Sequence, residues 1–270
     1  MVFVLTQKES ASPLASKAGE GDDSRPDSGL ESKVLYEIKD VLSFGEVKNY
    51  KGFSRYIISN NVRCFLLYLL FNGNLVLNSR INQLYIWYST LLELKKLNVL
   101  KNFGIQGIPD INLISKKPSI RDGWLSGFTD AEGCFSVSIY KGKNGKEYCR
   151  CRYILDQKGE QELLLYIRSL FCSGSTGSVY LRSKTYDVFR LTISVNEPNK
   201  RNFDLIIKYF QNYTLKTTKC LNFEMWCKVI KLIISKKHNT FDGLKEVRRL
   251  RTEMNKYVIN NKSIGSSKYS

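Results

Sequence analysis

The segment Gly123-Trp-Leu-Ser-Gly127-Phe-Thr-Asp130-Ala131-Glu132-Gly133 sets small residues four apart and ends in two acids. On a helix, Gly123, Gly127 and Ala131 share one face. A face without bulk lets a second helix approach closely. An acid at the end of such a helix stands at the edge of the helix pair. If the partner helix supplies a matching acid, two carboxylates can share divalent cations. Paired cations activate water and stabilise the leaving O3′ in phosphodiester cleavage. The same spacing also fits a core helix with a solvated acid at its end, and spacing alone does not choose.

The flanking sequence predicts the elements that would hold this acid. Residues 119–132 read as a helix, with Ser119 as N-cap, Asp122 in the first turn and Gly133 as the stop. Residues 134–140 alternate, which argues for a strand. Lys143-Asn-Gly-Lys146 is a hairpin turn, and 148–155 is the second strand. An amphipathic helix over 158–171 follows, then a hairpin of 178–182 and 187–195, then helices over 199–210 and 219–235. The order is helix–strand–strand–helix–strand–strand–helix.

If Phe135, Val137, Ile139, Phe189, Leu191 and Ile193 are buried, alternation exposes Ser136, Ser138, Tyr140, Arg150, Arg152, Tyr180, Arg182, Arg190 and Thr192. Arg, Tyr, Ser and Thr on an open antiparallel face suit phosphate and base-edge contacts. A solvated sheet face is the plainer alternative. Lys48 and Arg55 hold comparable places earlier in the chain, because a faint repeat links the two halves. Leu35–Ile38 parallels Leu164–Ile167, and Ser54–Ser59 parallels Phe189–Ser194. Asn72-Gly-Asn-Leu75 and Trp87 parallel Asn212-Tyr-Thr-Leu215 and Trp226. The offsets run from 129 to 140, as loop insertions between matched elements would produce.

The segment 124–135, Trp-Leu-Ser-Gly-Phe-Thr-Asp-Ala-Glu-Gly-Cys-Phe, resembles the signature of the LAGLIDADG homing endonucleases and intron maturases. It departs mildly at Ser126, Thr129 and Glu132. The resemblance covers residues 34–256. It implies an α+β fold of two αββαββα repeats joined at their signature helices, with saddle-shaped antiparallel sheets straddling a long double-stranded DNA site. It implies Mg²⁺ or another divalent cation held by the Glu132 carboxylate and the Ala131 position, with Glu132 as catalytic acid. Asp130 would shape the helix interface together with Gly123, Gly127 and Ala131. Gln157, just after the second strand, and Lys219 would be further active-site residues.

One feature departs from the two-repeat pattern. Before Val34 only Leu14-Ala-Ser-Lys-Ala-Gly-Glu-Gly-Asp-Asp could stand for a first signature, and it has no apolar helix face. The first repeat is therefore read as incomplete. Three outcomes follow: an inactive remnant, pairing of Glu132 across a homodimer, or nucleic-acid binding alone. The alternative function is that of a maturase, which binds intron RNA without cutting DNA.

Composition sets the frame. The 270 residues carry 42 Lys and Arg against 25 Asp and Glu, a net +17, so a polyanion is the natural partner. Residues 8–33 hold four basic against six acidic residues, leaving +19 on the rest. That stretch is poor in large apolar side chains, so residues 1–33 are expected to be disordered. The expected organisation is then a partial repeat over 34–108, a linker over 109–118, a complete repeat over 119–256 and a flexible tail over 257–270. The seven cysteines are odd in number and form no regular framework, which suits a reducing compartment. The lone His238 excludes a multi-histidine metal site. No run approaches the roughly 18 apolar residues of a membrane helix. Neither a secretory leader nor an import peptide is recognisable. The bias toward Lys, Asn, Ile, Tyr and Phe fits an organellar gene, a mitochondrial one included.

Overall fold

The computed structural model describes residues 2–8, 30–98, 100–172, 177–194 and 200–259. They fall into two compact units that divide after Pro118. The first contains β1 (Phe3–Lys8), α1 (Leu30–Leu42), β2 (Glu46–Tyr50), β3 (Phe53–Ile58), α2 (Asn61–Phe71) and α3 (Asn78–Lys96). Its three strands form an antiparallel sheet in the order β1-β3-β2. Alternation along β3 turns Tyr56 and Ile58 onto the helices, where they pack with Leu35, Cys64 and Leu67. Asn60 caps α2 through its side-chain oxygen, which accepts from the backbone N–H of Val62 and Arg63.

Two expectations fail in this unit. Residues 3–8 are a strand of the sheet, laddered to β3 from Phe3↔Ile58 to Lys8↔Phe53. Phe3 stacks on Trp87 of α3 with ring centroids 5.7 Å apart. The polar composition of residues 8–33 masked a short apolar strand ahead of it. Residues 9–29 lie outside the described residues, so the rest of the expectation for 1–33 falls there. The segment 109–118 is also no free linker. Pro109 and Asp110 carbonyls accept from Tyr68 and Asn72, Ser115 donates to the Val76 carbonyl, and Lys116 N–H donates to that of Leu75. Those bonds tie it to the end of α2 as part of the first unit.

The second unit contains α4 (Trp124–Glu132), β4 (Gly133–Lys141), β5 (Glu147–Lys158), α5 (Gln161–Phe171), β6 (Gly177–Ser183), β7 (Val188–Ser194), α6 (Lys200–Asn212), α7 (Lys219–Ile234) and α8 (Phe241–Ile259). Its antiparallel sheet runs β4-β5-β7-β6. The expected element order holds through α7. The helix α8, which ends the unit, was not foreseen, and residues 260–270 of the expected tail lie outside the described residues. So do Val195 and Asn199, the expected ends of a strand and a helix.

The order β1-β3-β2, with α1 between β1 and β2, reproduces β5-β7-β6 with α5 between β5 and β6. The matched sequence segments sit in matched elements: Leu35 and Leu164 in α1 and α5, Trp87 and Trp226 in α3 and α7. Among the described residues of the first unit, nothing corresponds to α4 or β4. The first repeat, read as incomplete, thus has in β1 a described counterpart of β5.

Boundaries moved for local reasons. Asp122 Oδ1 accepts from Trp124 N–H and Ser119 Oγ from Arg121 N–H, so 119–123 is a turn and α4 begins at Trp124. The strand β5 runs on to Lys158 because Gln157 and Lys158 pair with Phe189 and Val188. That pairing shortens the next helix, which starts at Gln161. The turn after β4 is closed by Gly142 N–H to the Lys146 carbonyl, with Gly145 at φ +74°.

The core of this unit is aromatic. Phe135 of β4 meets Phe210, Phe223 and Trp226 at centroid distances of 5.2–5.5 Å. Tyr153 of β5 packs beside Phe135 and Phe210. The helices cover one sheet face and leave the other open.

Candidate nucleic-acid interface and its acid

The ladder fixes what the open face carries. Ser138 pairs with Arg150 and Ser136 with Arg152. Arg152 in turn pairs with Ser194, and Asp156 with Arg190. Arg190 pairs with Tyr180 and Thr192 with Ser178. By strand parity these residues lie opposite buried Val137, Cys151, Tyr153, Leu191 and Ile193. All nine residues expected on this face are there. At its outer end Arg150 lies over the Tyr140 ring at 5.0 Å and donates to its hydroxyl, and Tyr140 stacks on Tyr148. Nε of Arg152 is buried without a hydrogen-bond partner among the described residues.

In the first unit Lys48 and Arg55 pair across β2 and β3 on the face away from Tyr56 and Ile58. The Arg55 guanidinium lies 5.6 and 5.1 Å from the Tyr50 and Phe53 rings. Lys48 reaches Glu46 at 3.3 Å.

Asp156 was missed. It is the acid of the second unit's open face, and it binds Arg190 and Arg182. Its position was legible in the alternation once β5 extends past Leu155, which requires the pairing with β7.

The acid of the signature segment ends α4. Glu132 is exposed, and among the described residues no hydrogen bond or ion pair engages its carboxylate. Gly133 turns the chain directly into β4. It was expected to stop the helix, and it does so as the C-cap, in extended backbone with φ −87°. Space is the reason for glycine: a Cβ would stand 2.5 Å from Thr129 Cγ2 and 2.8 Å from the Thr129 carbonyl. Thr129 cannot yield, because its hydroxyl is buried in hydrogen bonds with the Leu125 carbonyl and the Tyr153 hydroxyl. Gly133→Ala is therefore expected to cost about 1–3 kcal/mol in urea unfolding, by forcing α4 away from β5.

Asp130, expected to shape the helix interface and the helix end, reaches the loop before α7, accepting from Lys216 N–H at 2.7 Å and from the Thr217 hydroxyl at 2.6 Å. That loop delivers Lys219, the first residue of α7. Lys219 Nζ donates to the carbonyls of Thr129, Asp130 and Ala131 at 3.1, 2.7 and 3.2 Å. The ammonium thus caps the C-terminus of α4, where orphan carbonyls and the helix dipole both favour a cation. The Ala131 carbonyl, expected beside a metal, accepts from Lys219. Removing the ammonium in Lys219→Met should lower unfolding stability by about 1–2 kcal/mol, read by urea denaturation.

Gln157 lies inside β5 rather than after it. The pairing of Gly133 with Leu155 puts it level with the end of α4, and among the described residues no hydrogen bond joins it to Glu132. Cys134, two residues past Glu132, shows where this end of α4 meets the sheet. Burial raises its thiol pKa, while Lys219, Arg190 and Arg152 act to lower it and Asp156 to raise it. The end of α4 therefore adjoins the charged middle of the open face.

Gly127 and Ala131 are exposed, and a Cβ on Gly127 would meet nothing within 4 Å. Gly123 is the N-cap of α4 rather than part of it. Among the described residues no group of three or more His, Cys, Asp or Glu could hold a metal ion. Glu132 fits a hard divalent cation as one oxygen ligand, and completing the site takes oxygens from elsewhere. All seven cysteines are free.

Residues 125–230 match the family model described as LAGLIDADG endonuclease. The chain belongs to the LAGLIDADG family, and the match lies in the second unit. Among curated relatives, "Probable intron-encoded endonuclease 4" of Neurospora crassa is 33% identical over 237 residues, covering 86% of this chain and 40% of the relative. "Uncharacterized cox1 intron-2 37.2 kDa protein" of Schizosaccharomyces pombe is 25% identical, covering 82% of this chain and 62% of the relative. The chain thus spans less than two thirds of either. The solved LAGLIDADG homing endonuclease I-GzeII, in complex with its DNA target, has a TM-score of 0.64 at 20% identity over 95% of this chain and 88% of that one. A K262A mutant of I-SmaMI gives 0.68 at 18% over 94% and 88%. At these identities the structural likeness establishes the fold.

Proposed function

We propose that the chain is a double-stranded DNA-binding protein of the homing-endonuclease type, whose second unit supplies one acid of a divalent-metal phosphodiesterase site. The observation that supports this most is the open face of the second sheet. It sets Tyr140, Arg150, Arg152, Arg182 and Arg190 among Ser and Thr, beside the free carboxylate of Glu132. Arg150 and Arg152 supply phosphate contacts, and the Ser and Thr hydroxyls bond either phosphate or base edges. Lys48 and Arg55 extend the same chemistry in the first unit.

A divalent cation, when bound, would polarise the scissile phosphate and generate the attacking hydroxide. Glu132 would hold one ligand position for it. Asp130 and Lys219 fix the end of α4 and with it the position of Glu132. Gln157 stands level with that end, and its amide is suited to orienting a water. In the hydrolysis, water oxygen adds to phosphorus and the bond to O3′ breaks, the proton passing to O3′. A second acid would complete the pair, and the described residues of the first unit hold no signature helix to supply it. The calcium ions named in one I-SmaMI complex with uncleaved DNA support a hard-cation requirement, and Mg²⁺ is the cation we assign. The names of the relatives support an intron-encoded, organellar origin. Neither intron RNA nor homodimerisation draws support from the comparisons, and the maturase reading is not favoured over the endonuclease.

The test is binding of a randomised duplex pool as salt rises. Phosphate contacts release counterions, so log affinity should fall linearly with log salt, with a slope of about −0.9 for each phosphate neutralised. A protein that binds single-stranded RNA but retains no duplex at low salt would refute the reading.

A further inference from the structure

The open face of the second sheet is basic except for one acid that is fully engaged. Asp156 lies half-buried in β5, at the register position facing Arg190 of β7. Arg190 donates from Nε to Oδ1 at 2.6 Å and from Nη2 to Oδ2 at 2.7 Å. Arg182 of β6 donates from Nη1 to Oδ2 at 2.6 Å. One carboxylate therefore holds two guanidiniums that start from two other strands.

For a surface built to bind a polyanion, this arrangement is costly. Asp156 cancels one positive charge and repels phosphate, so affinity alone would favour an uncharged residue here. The exposed Arg182 pair adds little stability, whereas the Arg190 pair is part-buried. What the triad does supply is orientation. A guanidinium has five donors in a rigid plane, and a bidentate carboxylate fixes that plane. Of its five donors Arg190 spends two on Asp156 and one on the Tyr180 side chain, which leaves two. Arg182 spends Nη1 and keeps Nε and Nη2. A preset arginine fork matches the O6 and N7 acceptors of guanine in the major groove. A freely rotating arginine would settle on the nearest phosphate instead.

We propose that Asp156 is a specificity-determining positioning residue, holding Arg190 and Arg182 as fixed forks that read guanines in the duplex beneath β6 and β7. The proposal rests on the duplex-binding reading above. It separates affinity from selectivity, which a purely structural ion triad would not do.

The experiment is selection from a randomised duplex pool by the full chain, comparing wild type with Asp156→Asn and Arg190→Lys. Wild type should enrich a motif containing guanines that no other base replaces. Asp156→Asn should bind unselected duplex as tightly as wild type or a few-fold tighter, since a negative charge is gone. Its preference for guanine at one or two positions should fall roughly tenfold, with the rest of the motif intact. Arg190→Lys should lose selectivity at one of those same positions. Undiminished guanine preference in Asp156→Asn overturns the proposal. So does an equal loss at every position, which would mark Asp156 as a sheet-stabilising residue. If wild type enriches no duplex at all, the duplex-binding reading itself falls, and the proposal with it.

Discussion

Glu132→Gln will lower metal-dependent cleavage of a bound duplex by at least about 10³-fold, some 4 kcal/mol of barrier, while duplex affinity stays within about threefold. The amide keeps the shape of the side chain and loses the charge that a hard cation requires. No partner in the described structure depends on the carboxylate, since nothing there bonds to it. The substitution should therefore leave the unfolding midpoint unchanged. Single-turnover cleavage alongside duplex binding separates these effects. Cutting that persists at the wild-type rate would remove Glu132 from the mechanism, whereas a joint loss of binding and stability would make it structural.

Trp226→Ala should destabilise the second unit by about 3–5 kcal/mol, the usual range for an aromatic deleted from a packed core. Trp226 is fully buried, with Phe135, Phe203 and Phe223 around it. Phe135 lies three residues after Glu132 on the strand that continues from the signature helix. The cavity would therefore loosen the support beneath both the acid and the open face. Urea unfolding measures the loss, and duplex binding should fall with the folded fraction. A change under about 1 kcal/mol would mean that this aromatic cluster does not hold the unit together.

The period-two alternation of β4 and β7 was legible because one face is buried and the other is not. With the shorter alternations of β5 and β6, it placed all nine expected residues on the open face. Short helical elements were legible through their apolar periodicity. What sequence did not disclose depends on distant partners. The extension of β5 to Lys158, and with it the place of Asp156, is created by β7, more than thirty residues away. Lys219 could be named only through the family resemblance, and its cap on α4 depends on a loop that Asp130 anchors across 86 residues. Gly133 was read as a helix stop, and it is one, but the buried Thr129 that makes glycine necessary there was not visible in the sequence. Phe3–Lys8 was lost in the composition of the polar stretch that follows. A six-residue strand declares itself only when β3 is there to pair with it.

The account stands on Glu132 meeting a divalent cation at a duplex laid along the open face of the second sheet. A crystal structure of the full chain with an uncleaved target duplex and calcium tests this directly. The expected result is an ion about 2.3–2.6 Å from a Glu132 oxygen and a scissile phosphate, with Arg150 and Arg152 on the same duplex. A duplex lying against the helical side, or a Glu132 carboxylate left in solvent with the ion held elsewhere, would contradict it.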